Sequence, residues 1–186
     1  MTVAAVLDAN VLYPIALADF FISTAGLGLY RAHWSPQILN EVGRNLAANR
    51  PDLTSEQIAY RLAAMDRAMP SASVEPPGEL IDQMGNHPKD RHVLAAAALA
   101  DAGFLVTFNL RDFPANACRP YDVLVVSPDV FAGRLVGNDP VLVGTAIDEM
   151  ASRRRRPPAS PGEIMSHLAR SIPDAIRRLE KTTRSS

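Results

Sequence analysis

Asp90 and Asp112 are the first residues to explain, because residues 86–114, NHPKDRHVLAAAALADAGFLVTFNLRDFP, set them at opposite ends of a helix and strand unit. Pro88 can open a helix with Asp90 in its first turn, where the helix dipole favours a charged carboxylate and suits it to hold a cation. Leu94, Ala95, Ala96, Ala97, Ala98 and Leu99 are strong helix formers with a small-residue packing face, and Gly103 is expected to stop the helix. Residues 104–108 are almost wholly apolar, the pattern of a strand buried on both faces of a parallel sheet. The chain then turns through Asn109, Leu110, Arg111 and Asp112. Thr107, Asn109 and Asp112 are thereby delivered beyond the carboxyl end of a strand, where open α/β sheets place their ligand crevice. Taken singly, Asp90 could merely cap its helix and Asp112 merely form a turn.

Two further acids occupy comparable positions. Asp8 ends the hydrophobic run of residues 3–7, a buried strand with a carboxylate at its tip. Glu41 lies on a helix opened by Ser35 and Pro36, three residues from Ile38, so it leans toward the apolar side that Leu39, Val42 and Leu46 share. A parallel sheet can bring all four acids to one edge. Carboxylates so gathered cannot all stay ionised without a cation, and hard divalent ions such as Mg²⁺ or Mn²⁺ are the natural partners. The chemistry such a site supports is metal-assisted phosphodiester hydrolysis.

The elements that must position these residues alternate between apolar runs and helical segments. Pro14 opens a helix carrying Leu17, Phe21 and Ile22 inward, residues 30–34 can form a second short strand, and Thr54 caps a helix with Ile58, Leu62, Met65 and Met69 on its inner face. Its charges, Glu56, Arg61, Asp66 and Arg67, read as a solvated face. A further short strand around Val74 and a helical turn or two over residues 79–85 precede the stretch described above. Residues 121–126 are expected to form one more buried strand, and Ser127 with Pro128 starts a helix through Phe131 and Leu135. Without Asn-Gly hairpin signals, this alternation argues for a parallel sheet with helices on both faces. A glycine-rich phosphate loop after the first strand, which a nucleotide-binding domain needs, is missing from Asp8-Ala9-Asn10-Val11.

At 186 residues the chain is one ordinary domain with an appendage, and 47% hydrophobic residues suffice for a core. It holds no apolar run of membrane-span length and no basic leader, so we expect a cytoplasmic protein that does not engage a membrane. The single Cys118 excludes an intrachain disulfide and a multi-cysteine zinc site, and reads as a packing residue. Residues 1–150 carry 10 Lys and Arg against 17 Asp and Glu, whereas residues 151–186 carry 9 against 3, an acidic body with a basic tail.

Four blocks in this order, DANVLYP at residues 8–14, SPQILNEVGRNL at 35–46, KDRHVLAAA at 89–97 and TFNLRDFP at 107–114, resemble the PIN-domain nucleases, most closely the bacterial branch that includes VapC-type toxins of toxin–antitoxin pairs. The resemblance covers roughly residues 1–132. It implies an α/β/α sandwich with a central, mostly parallel sheet, and an endoribonuclease with Asp8, Glu41, Asp90 and Asp112 as catalytic residues around one or two Mg²⁺ or Mn²⁺ ions. Asn10, Thr107 and Asn109 would support them, Asn10 and Thr107 by orienting a carboxylate or a water. Asn109 stands where many relatives have a further acid, and His87 and Lys89 where some do, which makes this rim less negative. The implied reaction is in-line attack of activated water on RNA phosphorus, leaving 5′-phosphate and 3′-hydroxyl ends. Lys89, Arg91 and Arg111 flank the acids and could hold substrate phosphates, or be ordinary surface charge. His92 on its helix points to packing neighbours, Trp34 is a core or sheet-edge aromatic, and His33 and His167 have no neighbouring pattern that makes a site.

The resemblance further implies RNA as substrate, a cognate antitoxin and a homodimer. We expect a nuclease domain over residues 1–136 and a helical extension over 137–186, with one helix through Leu142, Val143, Ala146, Ile147 and Met150 and another through Ile164, Leu168, Ile172, Ile176 and Leu179, divided or kinked at Pro173. The basic residues Arg153, Arg154, Arg155, Arg156, Arg170, Arg177, Arg178, Lys181 and Arg184 could contact RNA backbone, favour helix ends or face solvent from helices docked on the body. Competing readings are a PIN nuclease in RNA processing or DNA repair outside a toxin–antitoxin pair, and a catalytically inactive PIN module that binds RNA or protein.

Overall fold

The computed structural model describes residues 2–154 and 157–184, with 183 and 184 in backbone only. The chain opens with β1 (Ala4–Leu7), a short α1 (Ala9–Leu12) and α2 (Ile15–Gly26), then β2 (Arg31–His33), α3 (Pro36–Asn49), α4 (Ser55–Ala68) and α5 (Gly78–Gln83). A 3₁₀ turn (Pro88–Asp90) leads into α6 (Arg91–Leu99) and β3 (Phe104–Val106). A second 3₁₀ turn (Leu110–Asp112), α7 (Ala115–Cys118) and a third 3₁₀ turn (Arg119–Tyr121) lead to β4 (Leu124–Val126). Four helices close the chain: α8 (Pro128–Asn138), α9 (Pro140–Arg153), α10 (Pro161–Leu168) and α11 (Pro173–Arg184).

All strand pairs are parallel, in the order β2-β1-β3-β4. The chain leaves β1 in one direction to β2 and returns on its other side as β3, so the order reverses between β1 and β3. That reversal opens a crevice beyond the carboxyl ends of the two central strands. Asp8 directly follows β1 and Thr107 directly follows β3, so both face it. The strands are apolar because helices cover both faces: Ala5, Val6, Leu7, Leu105 and Val106 are fully buried. On one side Phe21 of α2, Tyr30, Phe104 and Phe131 of α8 form an aromatic cluster with ring centroids 5.0–6.5 Å apart. On the other, α6 packs across β1 and β3 with α3 against it. The result is the α/β/α sandwich expected of a PIN-like fold.

The local signals worked where a cap or a proline fixed them. Ser35 accepts the Ile38 N–H at 3.1 Å to start α3, Thr54 and Gln57 form a reciprocal capping box on α4, and Pro173 divides the last two helices. The structure corrects several expectations. The strand after α6 ends at Val106, leaving Phe108 47% exposed, because the Asn109 N–H turns back to the Thr107 hydroxyl at 2.9 Å. Asp101, at φ 47°, rather than Gly103, makes the left-handed turn that ends α6, and the Ala102 N–H closes onto the Ala97 carbonyl. Finally, Arg61 and Asp66 are not merely solvated. Arg61 donates at 2.8 Å to the carbonyls of both Leu12 and Tyr13, and Asp66 accepts the indole N–H of fully buried Trp34 at 3.0 Å. Around Val74 a single bridge forms, Trp34 to Ser73, and the strand expected over 121–126 begins only at Leu124, exposed at the sheet edge, because a 3₁₀ turn and Asp122 at φ 54° precede it.

The C-terminal helices dock on the body, α9 against α2, α10 against α9 and α11 against α8. Ile147, Met150, Ile164, Leu168, Ile172, Ile176 and Leu179 are all buried, as their helical spacing suggested. Asp129 on α8 accepts the N–H groups of Asp174 and Ala175, capping α11 across the interface. Part of the basic tail is engaged within the molecule: Arg153 reaches Asp19 at 2.9 Å and Ser23 at 2.6 Å, Arg178 donates to the Gly133 carbonyl, and Arg177 pairs with Asp174. Arg155 and Arg156, and the side chain of Arg184, lie outside the described residues. Cys118 is a buried free thiol.

Candidate active site

Asp8 occupies the tip of β1 and is 4% exposed. Its Oδ1 accepts the Ala9 N–H at 2.7 Å, while Oδ2 accepts from Asn10 Nδ2 at 2.7 Å and from the Thr107 hydroxyl at 2.6 Å. Asn10 Nδ2 also reaches Thr107 Oγ1 at 2.9 Å, and its Oδ1 accepts the Phe108 N–H at 3.1 Å. Thr107 is thus a hub: fully buried, it orients Asp8, Asn10 and the backbone of Asn109 at once. Asn109 in turn donates from its side chain to Asp112 Oδ2. One polar chain therefore runs from the end of β1 to the turn after β3. Asn10 and Thr107 stand beside Asp8, and Asn109 beside Asp112.

Asp90 precedes α6 and its side chain makes no capping hydrogen bond to that helix. The bland reading, a simple cap, is not what the geometry shows. Instead Asp90 is 8% exposed, and its Oδ2 has no hydrogen-bond partner among the described residues. Burial, the neighbouring Asp112 carboxylate and Glu41 all raise the Asp90 pKa above the ordinary carboxylate value. Asp8 is pushed up to about 6, mainly by burial and in smaller part by Glu41 and Asp90, against its hydrogen bonds from Thr107 and Ala9. These mutual effects bring the four acids into one electrostatic neighbourhood. A buried carboxylate oxygen with no donor, beside other carboxylates, fits a divalent cation with oxygen ligands.

Two histidines line this neighbourhood in ways no sequence period encodes. His87 Nδ1 lies 3.6 Å from Asp90 Oδ2, and His87, Asp90 and Asp112 each offer a ligand atom within 4.8 Å of the other two. His92 is buried as expected. Its Nδ1 donates to the Lys89 carbonyl at 3.1 Å, which leaves the lone pair of Nε2 facing Glu41 Oε2 at 3.7 Å. Burial holds the His92 pKa below its ordinary value, against the pull of Glu41. Of the three basic candidates, Lys89 and Arg111 are exposed, while Arg91 is half-buried with its Nε unpaired among the described residues.

The parallel α/β/α sandwich is consistent with a PIN-like fold. In sequence the chain is similar to proteins described as VapC-type. The family described as "VapC50 C-terminal domain" matches residues 128–181, the segment that begins at α8 and runs through α10 into α11. The chain is also 36% identical over 95 residues to the Mycobacterium tuberculosis protein named "Putative ribonuclease VapC50", a match covering 51% of this chain and 56% of that protein. The chain thus spans about half the length of the curated relative it matches. No solved structure matches the chain.

Proposed function

We propose that this protein is a divalent-metal-dependent endoribonuclease and the toxin of a VapBC-type pair. The observation that carries the reading is the convergence of Asp8, Glu41, Asp90 and Asp112, with Asp90 Oδ2 buried and lacking a donor among the described residues. The ribonuclease name of the similar mycobacterial protein supports RNA as the substrate, and its VapC name supports an antitoxin partner.

In this reading the four acids hold Mg²⁺ or Mn²⁺. When bound, the ion supplies acidification of water and neutralisation of charge on the scissile phosphate. The protein supplies the rest. Thr107 and Asn10 fix both rotamer and hydrogen-bond load of Asp8, so that its carboxylate enters the reaction in one orientation. A carboxylate of the set takes the proton from the attacking water. Lys89, Arg91 and Arg111 hold the phosphates on either side of the cut. Residues 1–136 form the nuclease and 137–186 a helical extension, in a cytoplasmic homodimer.

Purified protein incubated with total RNA and either Mg²⁺ or Mn²⁺ is expected to give discrete cuts with 5′-phosphate ends, abolished by EDTA. Intact RNA with cleaved single-stranded DNA in the same assay would move the assignment to a DNA nuclease. Intact nucleic acid of both kinds, with the ion bound, would make it a binding module.

A further inference from the structure

His87 stands out because a ring nitrogen lies beside the nearest carboxylate, 3.6 Å from Asp90 Oδ2. Nδ1 accepts the Lys89 N–H at a long 3.4 Å, so the ring carries its lone pair on that nitrogen. Asp90 Oδ2, 3.6 Å away, is buried and meets no donor among the described residues. A ring nitrogen and a carboxylate oxygen so placed need a proton or a metal cation between them, and with Asp112 they make a set of three ligand atoms within 4.8 Å of one another, which a divalent ion suits better than one proton. The backbone holds His87 in place: its N–H donates to the Asp112 carbonyl at 3.1 Å, and its carbonyl accepts the Asp90 N–H at 2.9 Å. His87 therefore ties together the two turns that carry Asp90 and Asp112, and Pro88 restricts the chain directly after it.

We propose that His87 donates a ring nitrogen to the divalent ion held by Asp90 and Asp112, and that this ligand tilts the site toward Mn²⁺ over Mg²⁺. The inference rests on the metal-centre reading above and deepens it. Mg²⁺ takes oxygen ligands almost exclusively and gives up water reluctantly, whereas imidazole binds transition-metal ions well. An acid at position 87 would favour Mg²⁺, and the histidine reverses that preference.

The test is a Mn²⁺ titration followed by electron paramagnetic resonance, a parallel Mg²⁺ titration by calorimetry, and electron spin echo detection of ¹⁴N coupling to bound Mn²⁺. Wild type, His87→Ala, His87→Asp and His92→Gln are compared, with circular dichroism as the folding check. The His87 side chain is 54% exposed, so its replacement leaves the fold intact. Expected are ¹⁴N coupling in wild type and His92→Gln, its loss in His87→Ala, and Mn²⁺ binding weakened about tenfold there while Mg²⁺ binding changes by less than about threefold. His87→Asp is expected to shift the preference to Mg²⁺. Bound Mn²⁺ without ¹⁴N coupling, or coupling that persists in His87→Ala, overturns the role of His87 and leaves the metal centre standing. Wild-type protein that binds neither ion overturns both.

Discussion

Asp8 is buried at the end of a strand, and loss of water there pushes its carboxyl from 3.8 up to about 6. Between about pH 4 and pH 6 the folded state keeps a proton that the unfolded chain has released. The stability from this group is therefore complete below pH 4 and lost as pH rises through 6, amounting to about 3 kcal/mol. Ion-free protein should accordingly melt several degrees lower at pH 7.5 than at pH 5, and Asp8→Asn should flatten that dependence; thermal unfolding in EDTA across this range measures both. Thr107→Val removes the hydroxyl that Asp8, Asn10 and the Asn109 N–H share, and should cost about 1–3 kcal/mol in denaturant unfolding because the orphaned groups are buried. At this scale Asp8, Asp90 and Asp112 were legible as candidates because they stand at a strand tip and in turns, which sequence punctuation marks, and Glu41 because it leans toward the apolar side of α3. The facing of His87 to Asp90 and of His92 to Glu41 was not, since each depends on where two separate turns meet in space.

Among the elements, α4 shows how a polar face acquires a structural task. Arg61 spans to the carbonyls of Leu12 and Tyr13, groups at the end of α1 that the helix itself cannot satisfy. Arg61→Met keeps the aliphatic stem and removes both bonds, so a loss of about 1–3 kcal/mol is expected in urea unfolding, with the m-value unchanged. An exposed arginine would give almost nothing, which separates the two readings. Sequence periodicity placed α4 correctly because Thr54, Ile58 and Met65 carry its cap and inner face. It could not show that Arg61 and Asp66 have partners, because Leu12, Tyr13 and Trp34 come from distant parts of the chain. Strand ends were similarly elusive: the apolar run continues to Phe108, but Thr107 turns the backbone away one residue after β3.

For the molecule as a whole, the parallel sheet and its helical layers followed from alternating apolar and amphipathic segments, and a docked helical extension from the apolar spacing of its helices, whereas the helix that each of α9, α10 and α11 meets is set by distant parts of the chain. Their buried side chains, including Ile147, Met150, Ile164, Leu168, Ile176 and Leu179, are each worth about 1.5–3 kcal/mol when fully buried, comparable in sum with the whole stability of about 5–15 kcal/mol typical of a domain. A chain ending at Asp139 should therefore fail to fold cooperatively, seen as loss of a sharp thermal transition. If the acids act together on RNA as proposed, the most direct measurement is the single-turnover rate of cleavage of a mapped RNA site at saturating Mn²⁺ for wild type, Asp8→Asn and Asp90→Asn, each verified as folded. Both variants are expected to lose about 10²- to 10⁴-fold in rate while the products of wild type carry 5′-phosphates. Unchanged rates in folded Asp8→Asn and Asp90→Asn would contradict the account.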